Sequence, residues 1–457
     1  MRPISLLSAA LLLSAGLSAQ VPDGWYVWCS FQGVAGQCGV FFSHPRDPLQ
    51  AFLTVTGLSA DLAYDPAGKQ GAATVIRRPS DGALLVGERA PQGSSVDLHV
   101  LTLRGTEVVR AALFSVGTSA GAGEIPQCAL LPDGRVLLAA TDLTAGPLAQ
   151  FLTQAYNYEG VGILDTKSGL LSVVPIANLN QFPGVINSLT ASPDGKTAYI
   201  GNYISTTSGD LWAVPLPQGG TAVRIAQFPA GSSNVAVDVD GSILVTTLNG
   251  PPNLFRVDPV SFQVTTVTTS TGPLNAITVE TVTGEYVIAT ANAGVPPRSL
   301  IRMTRSGQES TLASPNRATI SGIAVNPNPE AYGAGTPGQN TYSWVLGPDG
   351  GGLPLLGNQG FKIAVDGGGT GAPPALMILG TARAGSSMPP VLGIQLHVDP
   401  ASIVAAPILS PLNGRVTLPL PIPSDPSLTG LALYAQTVHL ESSTTYAASP
   451  GLEFTIL

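Results

Sequence analysis

The stretch Asn187–Asn202, N-S-L-T-A-S-P-D-G-K-T-A-Y-I-G-N, decides how the rest of the chain is read. Apolar residues alternate into Pro193-Asp194-Gly195, and a run rich in β-branched and aromatic residues leaves it. That is the pattern of two antiparallel strands joined by a tight turn. Asp and Gly tolerate positive φ, so a primed turn is expected, because its twist matches the strands it joins.

The unit recurs on both sides. Residues 73–116 give A-T-V-I-R-R, the turn Pro79-Ser80-Asp81-Gly82, A-L-L-V-G-E-R, and two further strand-like runs. A second unit starts at Pro126 and turns at Pro132-Asp133-Gly134, the quoted stretch begins the third, and the fourth and fifth turn at Asp240-Gly241 and Thr283-Gly284. A repeat of roughly 40 to 50 residues carrying four strands predicts propeller blades. One strand, Ser321–Val325, is left after the series, and about three precede it, around Tyr26–Cys29, Gly39–Ser43 and Phe52–Val55. Open edges invite aggregation, so the late strand is expected to pair with the early three as a composite blade. The expected fold is all-β, a six-bladed β-propeller over residues 20–330 closed by its N- and C-terminal strands.

After Asn326-Pro-Asn-Pro329 the repeat stops. Runs such as F-K-I-A-V-D, A-L-M-I-L-G, L-G-I-Q-L-H-V, R-V-T-L-P-L and L-A-L-Y-A-Q-T-V follow between Gly/Pro clusters. Short strands without helical periodicity predict a C-terminal antiparallel β-sandwich or jelly-roll-like domain over 331–457.

Of 457 residues, 44% are hydrophobic and 11% charged, with 53 Gly and 40 Pro, which suits a large buried core with many turns rather than disorder. The net charge of −8, with 20 basic residues spread along the chain, excludes a nucleic-acid partner, which needs a clustered basic surface. Residues 1–19 carry Arg2, an apolar run and small residues at Gly16, Ser18 and Ala19, and read as a secretory signal peptide. No later run reaches about 18 apolar residues, so no transmembrane anchor is expected, and the protein should be secreted, periplasmic or at the cell surface. An oxidising compartment favours a disulfide between Cys29 and Cys38, which flank a Gly-containing loop, over two free thiols. Cys128 is left over as a small buried residue.

The candidate site is positional. The first strand of each blade lines the central channel, so the residues at its start, Gln127, Asn187, Asn234, Asn275 and Ser321, converge on one mouth. Their amides and hydroxyl suit a polar ligand or a hard cation such as Ca2+, and equally suit backbone groups at strand starts and channel water. Other motif matches carry less. Gly117-Thr-Ser119-Ala-Gly121 lacks the helix a nucleophile elbow needs, and Asp366-Gly-Gly-Gly-Thr-Gly371 has no helix N-terminus behind it to hold a phosphate. Asp238-Val-Asp240-Gly241 starts like a calcium loop, but the later ligands are missing and the segment is already a hairpin turn.

Asn187-Ser-Leu-Thr-Ala-Ser-Pro-Asp-Gly-Lys-Thr-Ala-Tyr199 resembles the N-G-L-x-x-S-P-D-G-K-x-x-Y segment of gluconolactonase and regucalcin-like six-bladed propellers, and the blade pattern is shared with NHL-like propellers. The resemblance implies that Asn187 ligates a divalent metal. It also implies a metal ligand and general base at position 234, where the family has Asp and this chain has Asn234. A neutral amide does not accept a proton in that way, and the family's early G-E-G-P segment has no counterpart. Tyr332-Gly-Ala-Gly-Thr-Pro-Gly338 and Leu418-Pro-Leu-Pro-Ile-Pro423 resemble a domain that recurs at the ends of exported proteins of environmental bacteria. The expected function is a monomeric secreted binding protein without catalytic residues. Its propeller would recognise a small polar ligand, a glycan or an extracellular protein, and its C-terminal domain would serve surface attachment or sorting. The alternative is a metal-dependent hydrolase of lactones or related esters at the propeller mouth.

Overall fold

The computed structural model describes residues 26–30, 39–43, 53–54, 71–78, 83–91, 95–102, 105–116, 122–145, 151–152, 158–166, 168–178, 184–248, 253–268, 273–280, 284–290, 299–313, 320–325, 330–332, 336, 345–348, 354, 356–366, 373–385, 388–411, 415–440, 445–449 and 451–456. The 1–19 segment, Cys38, Gly117–Gly121 and residues 367–371 lie outside them.

Four-stranded antiparallel meanders follow one another along the chain. Their first strands are Gly71–Arg77, Cys128–Leu130, Val185–Ala191, Ser232–Val237, Leu274–Val279 and Gly322–Ala324. We number the meanders first to sixth in that order. The last is completed by Tyr26–Ser30, Gly39–Ser43 and Leu53–Thr54, with Val27, Trp28 and Cys29 registered opposite Ala324, Ile323 and Gly322. The first and second meanders join into one ten-stranded sheet through Leu143 opposite Val116 and through Ala122–Glu124.

Each first strand touches the next around a closed cycle that returns from Gly322–Ala324 to Gly71–Arg77. The apolar clusters show how the meanders stack. Leu137 and Val161 of the second pack on Ile186 and Ile200 of the third. Leu211 and Phe228 of the third pack on Val235 and Phe255 of the fourth, and Leu244 of the fourth packs on Ile288 of the fifth. Val287 and Leu300 of the fifth meet Trp28 and Phe41 of the sixth, whose Val27 and Cys29 meet Val75 and Val86 of the first. A sheet covered on both faces needs strands apolar throughout rather than alternating, and Ile243–Thr247 is buried at every position. Sheets stacked face to face around a cycle of inner strands are a β-propeller arrangement.

The turns differ from expectation. Gly134, Gly195 and Gly241 have φ of 83°, 69° and 85°, whereas the only non-Gly residues at positive φ among those described are Phe262 and Leu392. Asp133, Asp194 and Asp240 therefore do not supply the second positive φ of a type I′ turn. Instead each Asp carboxylate accepts the N–H two residues on, from Arg135 at 3.1 Å, Lys196 at 3.1 Å and Ser242 at 3.0 Å. The side chain adds to the backbone bonds that close each turn, from Gly134 N to Leu131 O at 2.9 Å, Gly195 N to Ser192 O at 2.8 Å and Gly241 N to Asp238 O at 2.9 Å.

In the C-terminal part, two antiparallel sheets share one core. One contains Glu330–Tyr332, Gly451–Thr455, Ala432–Leu440, Ala375–Gly380 and Ile403–Ala405, and the other Val345–Pro348, Lys362–Asp366 and Arg415–Pro419. Ile363 and Val416 of the smaller sheet pack with Met377, Ala435 and Phe454 of the larger. The run L-G-I-Q-L-H-V is not a strand. Val391 and Ile394 bond to each other in both directions, at 2.9 and 3.0 Å, and Leu392 takes φ 53° between them, so a tight turn interrupts the alternation. Among the described residues no helix is long and apolar enough to cross a membrane.

Candidate functional site

The first strands share an irregularity that the sequence does not advertise. The register skips one residue at Ala73, Asn187, Ser233 and Asn275, so two residues oppose one on the second strand. Such a bulge re-aims the extra side chain. At the sixth meander, Ser321 N donates to Cys29 O at 3.0 Å while Gly322 is registered opposite the same Cys29.

The bulge side chains reach forward to the next meander. Asn187 Nδ2 donates to Ser232 O at 3.0 Å and Ser233 O at 3.1 Å. Ser233 Oγ donates to Asn275 O at 2.7 Å, Asn275 Nδ2 donates to Ile320 O, and Ser321 Oγ donates to Ala72 O at 3.3 Å. Gln127 does more: its Oε1 accepts Leu189 N at 3.0 Å in the third meander, while its Nε2 donates to Val235 O at 2.9 Å in the fourth.

The residue equivalent to Asn187 is therefore Ser233, not Asn234. Within the expected set of Gln127, Asn187, Asn234, Asn275 and Ser321, the bulge position of the fourth meander falls on Ser233 rather than Asn234, because the extra residue shifts the strand's two-residue period. Asn234 is 5% exposed, and its Oδ1 accepts both Gln127 Nε2 at 3.2 Å and Ile277 N at 3.3 Å. A cation would have to displace both donors to use that oxygen.

Behind Gln127 the channel opens into a cavity of about 220 Å³. It is lined by Thr74, Cys128, Thr190, Asn234, Thr278 and the adjoining stretches of the first strands. Among the described residues that line it, none is Asp, Glu, Lys, Arg or His.

Charged groups gather instead where the first strands end. Asp238 Oδ2 accepts Tyr286 OH at 2.8 Å and Arg305 Nη2 at 3.2 Å, and Arg256 also pairs with it. Asp240, the other acid of the calcium-like segment, pairs with the same two arginines. Burial pushes the Asp240 carboxyl up, but hydrogen bonds from Ser242 and the two guanidinium charges outweigh it and hold the group below the usual carboxylate range. Both carboxylates already have their counter-ions. One junction further on, Glu280 accepts Tyr26 OH at 3.1 Å and Arg302 Nη2 at 2.7 Å. Each cluster thus joins an acid ending a first strand, a Tyr from the next meander and an Arg from the third strand of its own. The tyrosines are held above their ordinary pKa, first by burial and then by the adjacent carboxylates.

A second polar set opens the third strands: Asp97, Glu159, Asp210, Asn253 and Ser299. Glu159 is fully buried, and its Oε2 accepts Ile186 N of the next meander at 2.6 Å. Burial raises the Asp210 carboxyl, with Arg224 opposing at 3.6 Å. Sequence reasoning passed over these residues, and over the Tyr and Arg partners. The available signal was a polar residue repeatedly placed just before an apolar third strand, as in Asp210-Leu211 and Asn253-Leu254, and the Arg shared by L-F-R-V and L-I-R-M.

Cys29 is a free, fully buried thiol, and Cys38, its expected disulfide partner, lies outside the described residues. Its Sγ lies 3.5 Å from Ser321 Oγ, in the interface between the sixth and first meanders. Burial pushes the thiols of Cys29 and Cys128 up to about 12, so neither is a nucleophile at neutral pH.

No protein-family profile and no curated protein matches the chain. Among solved structures, one titled as the nidogen/laminin complex aligns at 10% identity and a TM-score of 0.46, covering 66% of this chain and 97% of its own. A putative TolB from Agrobacterium tumefaciens aligns at 16% identity and 0.38, covering 56% and 90%. A gluconolactonase from Xanthomonas campestris aligns at 11% and 0.37, covering 65% and 84%.

Proposed function

We propose that the chain is an exported binding protein of the periplasm or cell surface. Its six-bladed propeller spans residues 20–330, and a C-terminal β-sandwich over 331–457 serves attachment or sorting. The observation that supports this most directly is the use made of the polar side chains at the blade starts. Gln127, Asn187, Asn275 and Ser321 bond the next blade's backbone, and Asn234 Oδ1 accepts two N–H groups. They act as scaffold, and the uncharged concave channel behind them remains as the recognition surface. The hydrolase alternative requires a general base where Asn234 stands.

The test uses full-length protein in two parallel assays. On a glycan and extracellular-protein array it should retain at least one class of ligand, and with lactone and ester substrates it should show no turnover above background, with or without Ca2+. Hydrolysis abolished by a chelator overturns the reading.

A further inference from the structure

We infer that the channel behind Gln127 is a binding site for a small, neutral, polyhydroxylated solute. The inference rests on the binding function proposed above and names the ligand class of that same surface.

Size comes first. A cavity of about 220 Å³ holds roughly seven waters at about 30 Å³ each. It lies below the roughly 300–1,000 Å³ of drug-sized pockets, so a compact occupant fits.

The walls specify the chemistry. Each first strand stands at the end of its sheet order, so the ladder bonds its backbone on one side only. On the other edge blade-start side chains take Val235 O and Ile277 N, and the remaining N–H and C=O groups face no strand, so they hydrogen-bond whatever meets them. Thr190 and Thr278, both partly exposed, add hydroxyl groups that donate or accept. Ala236 and Val237, both partly exposed, supply apolar surface between them. Alternating apolar and hydrogen-bonding wall matches a solute whose carbons each carry a hydroxyl.

Charge is kept out by construction. Asp238 and Glu280 directly follow the lining residues Val237 and Val279, yet both are drawn into Tyr and Arg clusters. An ion entering the channel would lose its hydration without meeting a counter-charge, which disfavours it strongly.

The experiment uses full-length protein with erythritol as the neutral probe and tartrate as the charged probe of similar length. Binding is followed by saturation-transfer NMR and calorimetry. Erythritol should bind, tartrate should bind at least about ten-fold more weakly, and Thr278→Phe, which fills the channel, should weaken erythritol by about ten-fold or more. A measurement on unsubstituted protein covers the case in which the variant does not fold. Erythritol should also raise the melting temperature of the unsubstituted protein, because a ligand held only by the folded state stabilises it. Equal erythritol affinity in a folded Thr278→Phe protein, or tartrate bound as tightly as erythritol, overturns the channel site and leaves the binding function standing. No erythritol binding together with no shift in melting temperature means that the channel holds water only, which also overturns the inference. The array result then judges the binding function separately.

Discussion

The phenol of Tyr26 donates to Glu280 Oε1 at 3.1 Å across 254 residues of chain. Arg302 Nη2 meets the same carboxylate from its other oxygen. One meander earlier, Tyr286, Asp238 and Arg256 repeat the arrangement. Where the ring closes, its seam is therefore held by a part-buried polar contact as well as by the strand pairing of Tyr26–Ser30 with Gly322–Ala324.

Replacing Tyr26 by Phe removes one donor to the part-buried, charged Glu280 carboxylate. The loss expected is about 1–3 kcal/mol of unfolding free energy. Urea denaturation of the two proteins measures it, and a change within error would mean that the phenol is replaced by water at no cost.

Asn187 distinguishes scaffold from metal ligand. Its Nδ2 donates to two carbonyls, so Asn187→Ala should cost about 1 kcal/mol. Asn187→Asp should cost more, because it points a carboxylate at the same two oxygens. A cation ligand would behave oppositely, with Asp raising Tm in CaCl2. Melting curves of both variants with and without calcium decide between the two.

Gly201 marks how closely the third and fourth meanders approach. A Cβ there would stand 2.4 Å from Ser188 Oγ, 2.5 Å from Ser232 Oγ and 2.8 Å from Val235 Cγ2. Gly201→Ala is expected to destabilise by about 1–3 kcal/mol through overpacking. An unchanged Tm would show that the two meanders separate freely.

His439 gives the C-terminal sheets a pH dependence. Burial lowers its pKa from 6.5 to about 4, so the unfolded chain binds the proton more readily than the folded one. The contribution is complete above about pH 6.5 and is lost as pH falls towards 4. Hydrogen exchange over Ala432–Leu440 should accelerate, relative to intrinsic rates, between pH 7 and pH 4.5, and His439→Gln should flatten that trend.

Cys29 as a free thiol predicts indifference to reductant. Melting temperatures with and without dithiothreitol should agree, and unreduced protein unfolded in guanidinium should take up iodoacetamide at Cys29. A Cys29 that stays unmodified until reduction would restore the disulfide.

Much of this architecture could be read from the chain, because tight turns and apolar strands are local. Pro193-Asp194-Gly195 fixes a hairpin from three residues, and the same signal at Asp133-Gly134 and Asp240-Gly241 sets the repeat. The site was legible only in part. Asn187 and Asn275 stand where strand starts place them, but a bulge adds one residue without changing composition, so Ser233 was hidden beside Asn234. The clusters at Asp238 and Glu280 were hidden for another reason: Tyr286 and Tyr26 arrive from other meanders, and no local pattern announces a partner 48 or 254 residues away.

The pairing that brings Ser321 to Cys29 spans 292 residues. Loop-closure entropy must be met before such a contact gives any return, and folding slows as contacts become less local. The N-terminal strand thus waits, with an unmatched edge, until nearly the whole propeller has been synthesised. During that interval it is the segment a chaperone or a stray β-edge would find first.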